Sequence, residues 1–351
     1  MGSSCLWGKL LPVSILAERL TAQLLAGPTA RDPIAVAERL LAIQAQDLRG
    51  ARLAVRARSD RLSVADIDRA LTEHRSLVVT WLNRGTLHLV RTEDYPWLQA
   101  LSAPRLRAGN VRRLSQEGVS SAAADRGVAV IERHLAKEGP LDRDRLRDLV
   151  AAAGVRTQGQ AFVHLLALAS IRGLIVRGPM AGSNHAFVLV RDWLGESVPV
   201  DRDVALAELA RRYLAGHGPA DDQDLARWSG LPLRDARAGL EAIASELQDR
   251  AGLVDLKRRD PAGRLPEPRL LGSFEPVLLG WRSRELLLRD AESFVVSGGV
   301  FRAFALVRGR AVATWRLSGE RLELKPFARL APPDCEALKT DASDVARFLA
   351  G

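Results

Sequence analysis

The sequence predicts an α+β chain in which three units of one plan, each three helices closed by a β hairpin, precede a smaller β-rich unit. Three observations carry this reading. A helix stopped by Gly-Pro recurs three times, β-prone runs follow each recurrence, and a stretch rich in Pro, Gly and charge at 258–269 precedes a tail of short strands. The expected units are 1–115, 116–200, 201–260 and 261–351. A chain of 351 residues exceeds the size at which a single core keeps growing, so several domains are expected.

The stretch 16–28, ending in Gly27-Pro28, resembles 206–219, ending in Gly218-Pro219, and 131–140, ending in Gly139-Pro140. Asp32, Asp142 and Asp221 follow these stops. Each has an apolar residue four positions on (Val36, Leu146, Leu225) and suits the cap of a second helix. Third helices are expected over 63–73, 160–172 and 233–246. A hairpin over 76–90 turns at Asn83-Arg84-Gly85, the run 173–178 is answered by 185–190, and 252–256 closes the third unit. Three helices and a hairpin make a winged-helix unit, so the plan is a tandem array. In the tail, 300–307 and 310–315 read as a hairpin about Arg308-Gly309, 321–324 as another strand and 334–350 as a final helix. A small β-barrel or sandwich is the expected form.

Composition excludes several classes. No run of eighteen apolar residues occurs, so no membrane span is expected, and the opening residues 1–9 do not read as a signal peptide. Cys5 and Cys335 are too few for a disulfide framework, which points to a reducing cytoplasm. The net charge of +9 gathers in residues 1–115, at +7, against +1, −2 and +3 in the following three units. Arginine supplies 46 of the 51 basic residues, and its planar fork suits phosphate oxygens, although a genome rich in Arg codons gives the same ratio. The His-Glu-x-x-His, Gly-x-Ser-x-Gly and phosphate-loop patterns are missing, and His74, His88, His134, His164, His185 and His217 are scattered. Metal and triad catalysis are not expected.

Gln44 is the residue this plan explains least. Leu40 and Leu41 precede it by four and three positions, so on a helix all three share an apolar face. Burying an unpaired amide costs roughly 1–3 kcal/mol, so Gln44 has either a core hydrogen-bond partner or a task such as holding water. Arg105, Arg107, Arg112 and Arg113 are candidate phosphate contacts or a solvated helix face. His88, beside Arg84, is a candidate phosphate contact or a satisfied strand histidine. The stretch 177–185 carries Arg177, Pro179 and Met180, residue types suited to a minor-groove wedge, or is a plain loop.

Gln44-Ala45-Gln46-Asp47, with Thr80-Trp81-Leu82, the run from Arg84 to Val90 and Trp315, resembles the AlkZ/YcaQ-like winged-helix DNA glycosylase superfamily over nearly the whole chain. The resemblance implies three winged-helix units and a β-barrel in a C-shaped body whose channel holds DNA. It implies that Gln44 and Gln46 are the catalytic pair, with no cofactor and no metal. Side chains two apart face one side only in extended chain, so the helix is expected to unwind near Ala45.

Amides can position water and steady a cationic sugar but cannot act as a general base, so already cationic N7-alkylated purines are the expected substrates. The other branch of the superfamily has Asp in place of the second Gln. Asp47 stands as a reserve carboxylate or as a cap of the following turn. With no lysine close after the motif to act as a Schiff-base nucleophile, release of base without strand cleavage is expected. The implied partner is double-stranded DNA carrying alkylated or crosslinked purines, bound by a monomer in the nucleoid. The alternatives are a winged-helix transcriptional regulator or a non-catalytic adduct-binding protein. Against the regulator, the expected helix over 63–73 is acidic and carries no set of base-reading Arg, Asn and Gln.

Overall fold

The structure, a computed structural model, describes residues 13–182, 184–196, 199–250, 252–259, 261–318 and 321–351. The opening residues 1–9, Cys5 and Ser183 of the wedge stretch lie outside the described residues. No helix among the described residues is long and apolar enough to cross a membrane.

The first third contains α1 (Val13–Ala22), α2 (Pro33–Leu40), β1 (Ile43–Gln44), α3 (Leu48–Arg56), α4 (Val64–Thr72), β2 (Leu77–Leu82), β3 (Thr86–Arg91) and the long α5 (Tyr95–Gln116). Asp32 caps α2 by accepting from Ala35 N at 2.8 Å, and Pro33 starts it. Next come α6 (Ser121–Glu138), α7 (Arg143–Ala152), α8 (Ala161–Ile171), β4 (Ile175–Ala181), β5 (Asn184–Leu189) and the short α9 (Val190–Trp193). Then α10 (Arg202–His217), α11 (Asp222–Ser229) and α12 (Leu233–Ala242) lead to β6 (Leu247–Arg250) and β7 (Leu253–Leu256). Asp142 and Asp221 cap α7 and α11, accepting from the third backbone N–H beyond each. The partner strand β6 carries no β signal in the sequence, because after Leu247 its residues are Gln, Asp and Arg.

The first two hairpins join. Strands β1-β3-β2-β4-β5 form one antiparallel sheet in that order, with Val79 of β2 opposite Arg177 of β4. Asn83 and Gly85 take left-handed φ values of 51° and 81° in the β2–β3 turn, the conformation such a tight connection demands.

The tail departs from expectation. It begins with β8 (Arg269–Leu271), which starts on the last residue of the expected linker, and three short helices follow: α13 (Pro276–Leu279), α14 (Glu285–Leu288) and α15 (Glu292–Val295). Then come β9 (Val296–Ser297), β10 (Val300–Phe301), β11 (Phe304–Val307), β12 (Arg310–Ser318), β13 (Arg321–Pro326) and α16 (Pro332–Ala350). The tail strands form an open sheet, β13-β12-β11-β8, and a separate β9–β10 ribbon, so the expected barrel does not close. Four strands, one of three residues, are too few to curl edge to edge. Instead α16 contributes Leu338, Ala342, Val345 and Phe348, all buried, at the spacing of one helix face. Trp315 on β12 is tied inward by its Nε1–H to the Leu271 carbonyl at 2.9 Å.

Candidate functional site

The helix carrying Leu40 stops there. Leu41 adopts φ +64°, a costly left-handed conformation for a leucine, and Ala42 N closes a tight turn on Leu40 O at 2.7 Å. Gln44 therefore does not share a helix face with Leu40 and Leu41, as the sequence spacing suggested. It lies in extended chain, with Ile43 opposite Leu89 and Gln44 opposite His88 on β3, and Ala45 N bonds Leu87 O at 2.7 Å. Two-residue alternation sends Ile43 and Ala45 into the core, leaving Gln44 and Gln46 on the other side. The unwinding comes four residues earlier than expected, at Leu41.

Gln44 is 6% exposed and Gln46 is exposed. The Gln44 Nε2 donates to Gln46 Oε1 at 2.7 Å, so the two amides form one unit. On the far side, Arg84 at the β2–β3 turn donates through Nη2 to Gln44 Oε1 at 3.4 Å and through Nη1 to the carbonyls of Trp228 at 2.5 Å and Arg227 at 3.2 Å. A guanidinium only donates, which fixes the Gln44 oxygen toward Arg84 and its nitrogen toward Gln46. Asp47 caps α3, accepting from Arg49 N at 3.0 Å, and its other oxygen accepts from Ser273 Oγ. Its carboxylate is thus turned from the pair toward the 273–274 segment.

The pair borders a cleft of about 300 Å³ whose walls include Arg84, Thr86, Arg227, Trp281, Arg284 and Phe301. No carboxylate lines it among the described residues. Burial and the neighbouring charges of Arg227 and Arg284 push the Arg84 guanidinium down to about 10. Beneath Gln44, His88 is 2% exposed and bonds Thr86 O through Nδ1 at 2.9 Å. Burial, and then Arg84, hold it down at about 3, so it is a neutral strand histidine with no access to a phosphate.

The remaining candidates spread out. Arg105, Arg107, Arg112 and Arg113 are exposed on α5, whose Ser102 Oγ accepts from Asn83 N at 3.2 Å in the turn that carries Arg84. None of the four lines the cleft. Arg177 sits in mid-strand, stacked against Trp81 at 5.0 Å and Phe187 at 5.2 Å, and so is not on the hairpin tip.

Sequence reading missed Arg227, Phe274, Leu279, Trp281, Arg284 and Phe301, which reach the cleft from α11, from α13 and the connections on either side of it, and from β10. They form no motif, and only the packing of the tail against the first third unites them. The one local signal is Gly298-Gly299, the left-handed turn of the β9–β10 ribbon, which ends in Phe301.

Sheet, amide pair and arginine-lined cleft define a protein of the AlkZ-like DNA glycosylase family, whose model matches residues 37–348; the chain belongs to that family. An interstrand DNA cross-link repair glycosylase of Streptomyces sahachiroi is 26% identical over 361 residues, covering 95% of each chain. The solved structure of Streptomyces sahachiroi DNA glycosylase AlkZ superposes with a TM-score of 0.76 at 24% identity, covering 96% of both chains, which shows a shared fold.

Proposed function

We propose that this chain is a monofunctional DNA glycosylase for N7-alkylated, cationic purines, including crosslinked and bulky adducts, and that Gln44 and Gln46 position its water. Three winged-helix units and the tail would hold duplex DNA along a channel, as a monomer. The observation that carries the reading is the amide pair, linked at 2.7 Å at the edge of a cleft with no carboxylate among the described residues.

In the reaction, the oxygen of water bonds to the sugar C1′ while the bond from C1′ to the purine nitrogen breaks. The electron pair of that bond leaves with the base and neutralises its cation, and the water's surplus proton passes to solvent. With so good a leaving group no acid is needed, and amide oxygens supply orientation and partial negative charge. The Streptomyces sahachiroi relative, an interstrand DNA cross-link repair glycosylase, supports the larger adducts.

The test is incubation of the purified protein with a duplex carrying N7-methylguanine and with a crosslinked duplex. Free base and alkali-labile sites are the expected products. DNA binding without base release would instead support the adduct-binding reading.

A further inference from the structure

The amide pair works beside a charge that opposes its reaction. Cleavage through an oxocarbenium-like sugar builds positive charge next to Gln44 and Gln46. Yet the ionisable side chains lining the cleft are all arginines: Arg84, Arg227 and Arg284. Arg84 bonds only neutral oxygens and makes no ion pair among the described residues, while Arg284 reaches one half-exposed carboxylate, Glu292, at 3.1 Å. Partly buried cations ordinarily have an anionic partner, and Arg84 has none among the described residues.

We propose that Arg84, Arg227 and Arg284 form a phosphodiester site, and that one backbone phosphate of the damaged strand, by cancelling their field, lets the amide pair support a cationic sugar. The substrate thus completes the electrostatics of its own cleavage. This rests on the glycosylase reading above.

The walls suit such a ligand. Arg284 is steadied by its Nε bond to Leu278 O at 2.8 Å and lies over the Phe301 ring at 5.1 Å. Thr86 lines the same cleft with a buried Oγ1 that has no partner among the described residues, a hydroxyl able to donate to a phosphate oxygen. Gly299, which has no side chain, leaves backbone at the cleft edge. The exposed arginines of α5 differ in kind: their attraction to phosphate is screened by salt and affects affinity more than the chemical step.

The experiment is a scan of duplexes with one N7-methylguanine and a single neutral methylphosphonate at each flanking phosphate in turn. We expect one position to lower the single-turnover rate about a hundredfold, the scale of removing one preorganised electrostatic partner, with the other positions within about threefold. Arg227→Ala removes an exposed charge while keeping the backbone carbonyl that holds Arg84, and it should shrink the penalty at that position by at least about fivefold through lost coupling. A uniform scan, or an unchanged penalty in Arg227→Ala, overturns the proposal. If the unmodified lesion duplex releases no base, the glycosylase reading fails, and the same scan read as binding affinity decides the phosphate site: one weakened position supports it and a flat profile overturns it.

Discussion

Glu275→Ala should destabilise the protein by about 3–5 kcal/mol, the cost of stranding a buried charge. Glu275 and Arg58 are both fully buried and joined at 2.5 Å. The guanidinium also bonds Ala54 O at 2.9 Å and Gln23 Oε1 at 2.9 Å, and neither neutral oxygen replaces the carboxylate. Glu275 directly precedes the helix α13 that carries Leu279, so the loss falls where the cleft wall joins the body. At about 1.4 °C per kcal/mol for a chain of this size, the melting temperature should fall by about 4–7 °C.

Urea unfolding followed by tryptophan fluorescence measures the change directly. Arg58 Nε and Glu275 Oε2 have no partner, so the pair is incompletely satisfied, and Arg58→Met with Glu275→Leu should recover most of the loss. A Glu275→Ala protein within about 1 kcal/mol of the parent would refute the reasoning, because no comparable group is available to neutralise Arg58.

Other predictions follow from the site and its surroundings. Gln46→Asp adds a carboxylate beside the water and should extend base release to neutral lesions, with a rate that falls as acid protonates the new group; a pH–rate profile on a neutral lesion checks it. His88, His185 and His217 are buried and held down at about 3, about 4 and about 3. Their folded values lie below the unfolded one, so the unfolded chain takes up protons first, and stability should decline as pH falls below about 6.5 toward 3; melting temperatures between pH 7 and 4 test the sign. Gly50→Ala would bring a methyl carbon to 2.3 Å from the Ser273 carbonyl, and the overpacking should cost about 1–3 kcal/mol, read by urea unfolding.

The repeated helices and their aspartate caps were legible because capping and Gly-Pro stops are local chemistry. These stops end α6 at Gly139 and α10 at Gly218, whereas α1 already ends at Ala22, ahead of Gly27-Pro28. The site was legible by type but not by conformation. Leu40, Leu41 and Gln44 have helical spacing, but the turn at Leu41 ends the helix and puts Gln44 in extended chain paired with β3. His88 had two readings, a phosphate contact beside the Arg84 turn or a satisfied strand histidine, and its buried position opposite Gln44 agrees with the second. The far wall, from Arg227 to Phe301, depends on contacts between segments distant in sequence, which no local pattern encodes. The tail likewise alternates as a barrel would, but strand number and the covering helix α16 decide whether a sheet closes.

The most direct measurement is single-turnover release of N7-methylguanine from duplex DNA by the parent protein, Gln44→Ala and Gln46→Ala, with DNA affinity measured on the same samples. The account predicts release by the parent, a loss of about 10²–10³ in rate for either variant and affinities within about threefold. Equal rates in all three proteins would contradict it.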